Sequence, residues 1–141
     1  MTQEKSKIEK IKDFIEKCPL LKGGKINVDY LKEKNQSYSI DRTPVQPDIN
    51  NFIDGRGGKK QISFDFCVQA PLSSQSIVNL VNSKFCEDFM EWISTQNRLK
   101  NFPDIDGAFS IKCTSPGYIL NKTETTAIYI IQMNFIYYEL L

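Results

Sequence analysis

The chain has 141 residues, long enough for one domain with a real core and too short for two comfortable ones. Its 18 Lys and Arg nearly balance 17 Asp and Glu, for a net charge of +1, which argues against a binder whose affinity rests on neutralising phosphates. It contains no histidine, which excludes Ser-His-Asp and Cys-His catalysis and most zinc hydrolase sites.

The first ten residues, MTQEKSKIEK, are charged where a signal peptide would turn apolar, and no apolar run approaches membrane-spanning length. The expectation is a cytoplasmic chain with no membrane partner. Ile8, Ile11, Phe14, Ile15 and Cys18 recur among lysines and glutamates, an amphipathic helix within residues 1–18 that Pro19 and Gly23-Gly24 close. Lys25 to Tyr30 alternates Ile26, Val28 and Tyr30 against Asn27 and Asp29, the pattern of a half-buried strand, and Ser37 to Ile40 suits a second short one. Residues 41–60 carry prolines, glycines and basic residues with little periodicity. They read as a long loop with a short extended segment near Ile49 to Ile53, a candidate contact arm.

Gln61 to Ala70 is the clearest strand, with Ile62, Phe64, Phe66 and Val68 on one face and Ser63, Asp65 and Cys67 on the other. After Pro71, residues 73–97 form the organising helix. Ile77, Leu80, Val81, Phe85, Phe89, Trp92 and Ile93 make one stripe, and Ser73 or Ser74 suits the N-cap. Burying seven such side chains is worth on the order of 10 kcal/mol before entropy is charged. Phe109 to Thr114 reads as a strand with Phe109, Ile111 and Cys113 inward, and Gly117 to Asn121 as a short one after it. Thr126 to Tyr138 carries Tyr129, Ile131 and Tyr137 on one face, while Ile128, Ile130 and Ile136 make the other face partly apolar. Such a strand is either central in its sheet or turned toward another subunit, so Tyr129, Ile131 and Tyr137 are candidate interface residues. The expected fold is a single α+β domain over 1–141. Its antiparallel or mixed sheet of four to six strands is packed by the long core helix and the N-terminal helix.

Chemistry is sparse. Cys18, Cys67, Cys86 and Cys113 form no CxxC pair and read as reduced, mostly buried thiols, so no metal or other cofactor is expected. Glu87, Asp88 and Glu91 fall on the wet face of a helix, and Asp104 with Asp106 in a turn where Asp bonds its own backbone. GRGGKK, residues 55–60, lacks the spacing and context of a P-loop. It is either a flexible exposed turn or a basic arm whose Arg56, Lys59 and Lys60 touch phosphate or an acidic neighbour. No catalytic set is expected, and so no enzyme.

Tyr38-Ser39-Ile40, PDINNFIDG (47–55), ISFDFCVQAPLS (62–73), FMEWISTQN (89–97), Pro103, GYIL (117–120) and AIYIIQMNFIYY (127–138) occur in an order that resembles small tail proteins of Gram-positive phages and phage-tail-like bacteriocins. These are the tail-terminator or minor tail group, sometimes labelled minor capsid proteins. The likeness spans roughly residues 38–138 and consists of pattern and order, without a catalytic signature. It implies a virion or tail-like particle protein, assembled in the host cytoplasm as a homo-oligomeric ring of typically six copies. Such a ring caps the tail tube, stops its polymerisation and meets head-completion or sheath proteins, with DNA passing through its lumen. Arg56, Lys59 and Lys60 then become candidates for the lumen or an intersubunit contact. A head–tail connector or tail-completion subunit is the nearest alternative; a small nucleic-acid-binding accessory protein is a more distant one.

Overall fold

A computed structural model of the chain describes residues 5–29, 37–44, 47–51, 57–71, 76–123 and 125–140. It is a small α+β domain, as the periodicities predict. In chain order the described elements are α1 (Lys7–Ile15), a 3-10 turn (Pro19–Leu21), β1 (Ile26–Val28), β2 (Ser37–Arg42), β3 (Asp48–Asn51), β4 (Gly57–Pro71), α2 (Ser76–Leu99), β5 (Ala108–Cys113), β6 (Tyr118–Lys122) and β7 (Thr126–Leu140).

All seven strands join one sheet in the order β1-β2-β4-β7-β5, with β3 added to β4 and β6 to β7. β1 runs parallel to β2 and every other pair is antiparallel, so the sheet is mixed. Its spine is β4 against β7, each 15 residues long and paired from Gly57↔Leu140 to Pro71↔Thr126. Directly opposed residues share a face. Phe64↔Met133, Phe66↔Ile131 and Val68↔Tyr129 therefore point to the helices, and Ser63↔Asn134, Asp65↔Gln132 and Cys67↔Ile130 to the other side.

The helices cover one face because their stripes demand it. In α2, Phe89 and Ile93 are buried against the sheet, and Phe89 stacks on Phe66 with ring centroids 4.3 Å apart. Helix α1 brings Ile11, Phe14 and Ile15 into the same cluster and touches α2 through Phe14 and Trp92 at 5.5 Å. Its N-cap is Ser6, whose hydroxyl accepts from the Glu9 amide, with Glu9 supplying the favoured first-turn charge. Helix α2 ends where Lys100 turns left-handed (φ 59°) and the Asn101 amide returns to the Gln96 carbonyl. The serines expected to cap its start lie outside the described residues.

Two expectations change. Residues 41–60 are not one loop: β2 continues to Arg42, β3 occupies Asp48–Asn51 and β4 begins at Gly57. The cause is the length of β7, which offers pairing partners as far as Leu140 and draws Gly57 to Lys60 into an extended strand. Phe109 does not point inward either. A bulge between Ala108 and Ser110 shifts the alternation by one residue, and Phe109 emerges 52% exposed.

Candidate functional site

Arg56, Lys59 and Lys60 form one of the two contact groups expected from the sequence, the other being Tyr129, Ile131 and Tyr137. Arg56 lies outside the described residues. Lys59 and Lys60 sit inside β4, between β3 (Asn50↔Lys59, Asp48↔Lys60) and β7 (Lys59↔Tyr138, Lys60↔Tyr137). The loop expected here is thus a strand, and adjacent strand residues point to opposite faces. Lys60 belongs to the helix side with Tyr137. Lys59 belongs to the open side, where its ammonium lies 5.7 Å from the centroid of the Phe109 ring. Phe109 in turn meets Tyr138 edge-on at 5.3 Å. A cation over an aromatic face is favourable by roughly 0.5–1 kcal/mol at an exposed site. The outcome is a basic–aromatic cluster of Lys59, Phe109 and Tyr138 at one end of the open sheet face. Sequence reading missed it because the bulge that turns Phe109 outward has no local signature.

The other expected interface residues are placed in the core. Ile131 is fully buried, and Tyr129 and Tyr137 are 8% and 7% exposed. β7 is a central strand, flanked by β4 on one side and by β5 and β6 on the other, which is why both of its faces are apolar. Lys7 reaches over the Tyr137 ring from the helix side at 5.6 Å, so that tyrosine is covered by α1 and not presented to a neighbour.

A cavity of about 520 Å³ lies on the helix side, between the 3-10 turn, the ends of β2, β4 and β7, and α2. Tyr38, Phe85, Cys86 and Tyr129 form most of its aromatic and apolar wall, with Lys22 and Asn82 as polar groups. A second, shallower cleft of about 850 Å³ sets Lys5 and Lys7 near Asp104, Asp106 and Glu139. Charges of both signs line it, and its acidic pair, Asp104 and Asp106, immediately precedes Gly107.

The thiols are poor nucleophiles and poor ligands. Cys67, Cys86 and Cys113 are pushed up to about 12, 11 and 12, in each case first by burial, and burial also raises Cys18. All four are free thiols, protonated at neutral pH, whereas attack and metal binding need the thiolate. Among the described residues no three His, Cys, Asp or Glu side chains gather in a metal-binding arrangement. The helical carboxylates behave as a solvated face, Asp88 pairing with Lys84 one turn away at 3.2 Å.

One pair on the open face is electrostatically uncomfortable. Asp41 and Asp65 are directly opposed on β2 and β4, where like charges destabilise a sheet. The Cys67 thiol donates to the Asp41 carboxylate at 3.5 Å, and so does the Ser39 hydroxyl at 3.4 Å. Burial first, and Asp41 second, push the Asp65 carboxyl above its ordinary 3.8. The folded state therefore holds that proton more tightly than the unfolded one, and the penalty is present at neutral pH and relieved as pH falls toward 3.8. Asp65→Asn is expected to stabilise the fold at pH 7 by about 0.5 kcal/mol. Paired urea titrations of variant and wild type should show the gain shrinking as pH is lowered through the acid range.

No protein-family model and no curated protein sequence matches this chain.

Proposed function

We propose that the chain is a structural subunit of a phage or phage-tail-like particle, a tail terminator that assembles as a ring on the tail tube and stops its growth. Two things support this reading. The ordered motifs over residues 38–138 resemble that group. In addition, four of the five large apolar side chains exposed among the described residues, Phe109, Tyr118, Ile119 and Leu120, lie on β6 and at one end of the open sheet face, the fifth being Leu99 at the end of α2. Apolar side chains left on an edge and a flat face suit contact with other chains better than turnover of a small substrate. That distribution is the observation the reading leans on most.

The test is electron microscopy of particles produced with the gene deleted. Tails of uncontrolled length support a terminator. Tails of normal length that fail to join heads would move the protein to the connector side, and particles like wild type would overturn both readings. The basic segment supplies a finer test. Changing Arg56, Lys59 and Lys60 together to Ala should leave circular dichroism unchanged while lowering particle yield about tenfold, the scale of losing charge contacts at an interface. Normal yield would remove that segment from the assembly surface. The Lys59–Phe109–Tyr138 cluster is the one observation favouring a nucleic-acid-binding accessory role. Retention of single-stranded DNA that falls steeply with salt would shift the reading there.

A further inference from the structure

The cavity on the helix side has a definite origin in the sequence. Tyr38, Val68 and Tyr129 stand in one row across β2, β4 and β7 and form its floor. The next row on that face sets Ala70 opposite Ala127, two methyl groups where large side chains would close the space. On α2, Asn82, Phe85 and Cys86 recur at the spacing of one helix face. The 3-10 turn closes the flank and runs into Gly23-Gly24, where a Cβ on Gly24 would meet the Tyr38 ring at 2.9 Å. Small residues thus hold open about 520 Å³, against about 30 Å³ for one water.

Its polar groups are few and incomplete. Tyr129 is 8% exposed, yet its hydroxyl makes no hydrogen bond among the described residues. The one fully buried side-chain atom without a partner among those residues is Asn134 Oδ1, so the Tyr129 oxygen is still within reach of solvent. Lys22 lines the same cavity and makes no ion pair among the described residues, and no carboxylate lies on the wall. Lys22 stands left-handed, φ 51°, where Gly or Asn is the common choice. A lysine kept there against the local preference favours a role for its charge. The rest of the wall is largely aromatic: the Tyr38 and Phe85 rings lie 22° from parallel with centroids 6.1 Å apart. Aromatic walls with a few polar groups suit a flat apolar guest, and the volume falls within the roughly 300–1,000 Å³ of small-molecule sites.

We propose that this cavity binds a small aromatic acid, its ring against Tyr38, Phe85 and Tyr129 and its anionic group held by the Lys22 ammonium and the Tyr129 hydroxyl. The hydroxyl donates to the acid, a charge-assisted bond of the stronger kind. Burial keeps the Cys86 thiol protonated at neutral pH, so the site binds and does not attack. It stands apart from the particle reading, and either can fail without the other.

Fluorescence titration of the folded full chain with anilinonaphthalene sulfonate, an aromatic anion, tests it beside the neutral phenylnaphthylamine. The anion should bind saturably, one per chain, and raise the thermal midpoint, as a ligand of the native state must. Tyr129→Phe keeps the ring and should weaken the anion about tenfold. Lys22→Gln should weaken it about threefold, the scale of an exposed charge pair. Neither change should alter binding of the neutral probe. Ala70→Met places a side chain in the space and should weaken both probes by about tenfold or more. Circular dichroism should be unchanged in all three variants; if Ala70→Met does not fold, the other two decide. Absence of saturable binding, or anion binding that Tyr129→Phe and Lys22→Gln leave untouched, would overturn the proposal. A dimer that the probe dissociates would put a second copy's side chain in the cavity and overturn the small-molecule assignment.

Discussion

Gly107→Ala is expected to destabilise the protein by on the order of 3 kcal/mol or more. Gly107 adopts φ +77°, a left-handed conformation that side chains resist. A Cβ at this position would lie 1.9 Å from the Tyr138 carbonyl oxygen and 3.0 Å from its carbon. Those atoms are backbone in the central strand, so they cannot swing away as a side-chain tip would. The close approach also has a purpose, for the Tyr138 amide donates to the Gly107 carbonyl at 2.8 Å and ties the turn before β5 to the end of β7. Denaturant unfolding of the variant should show a lower midpoint with broadly the same slope. A loss below about 1 kcal/mol would mean that the turn can rebuild itself away from β7.

Phe89→Ala is expected to cost about 3–5 kcal/mol, a large part of the 5–15 kcal/mol typical of a domain. Phe89 is fully buried and lies between aromatic neighbours, with Phe66 at 4.3 Å below it on β4 and Phe85 and Trp92 at 6.5 and 6.4 Å along α2. Truncation removes the ring that locks helix to sheet and leaves a void that stiff neighbours fill poorly. Phe89→Leu keeps most of the apolar volume and should recover more than half of the loss. Trp92 fluorescence during unfolding reports the same packing, because its ring is in the row. If Phe89→Leu were as damaging as Phe89→Ala, aromatic stacking and not volume would dominate this contact.

Much of this fold is legible in the residues, and the reasons differ by element. Gln61 to Ala70 and the helix around Phe85, Phe89 and Ile93 announce themselves because each has one buried face and a regular period. The last strand was readable as a strand but not as a place. Apolar residues on both faces are equally consistent with a central position and with a waiting partner, and only the pairing of β7 with β4, β5 and β6 decides for the centre. Tyr129, Ile131 and Tyr137 moved from candidate interface to core on that one distinction. Gly57 and Gly58 carry no side chain to reveal whether they turn or extend; the partner residues Glu139 and Leu140 made them strand. Phe109 is the reverse case. Its alternation with Ile111 and Cys113 pointed inward, but a bulge changes the phase through a register that exists only once β7 is beside it. What local pattern cannot carry is the identity of the neighbouring strand, and the basic–aromatic cluster depends on it.

The β4–β7 ladder has a consequence for how the chain is made. Even its closest partners, Pro71 and Thr126, are separated in sequence by all of α2, β5 and β6. No hairpin can zip the spine from a local turn, so loop-closure entropy must be spent before the longest ladder contributes anything. During synthesis the aromatic face of β4 and the stripe of α2 emerge well before the strand that completes their sheet. Until β7 leaves the ribosome, Phe64, Phe66 and Phe89 have only each other and the helices for cover. The nascent chain is most vulnerable to aggregation in that interval, and its survival there rests on how quickly α2 settles onto β4.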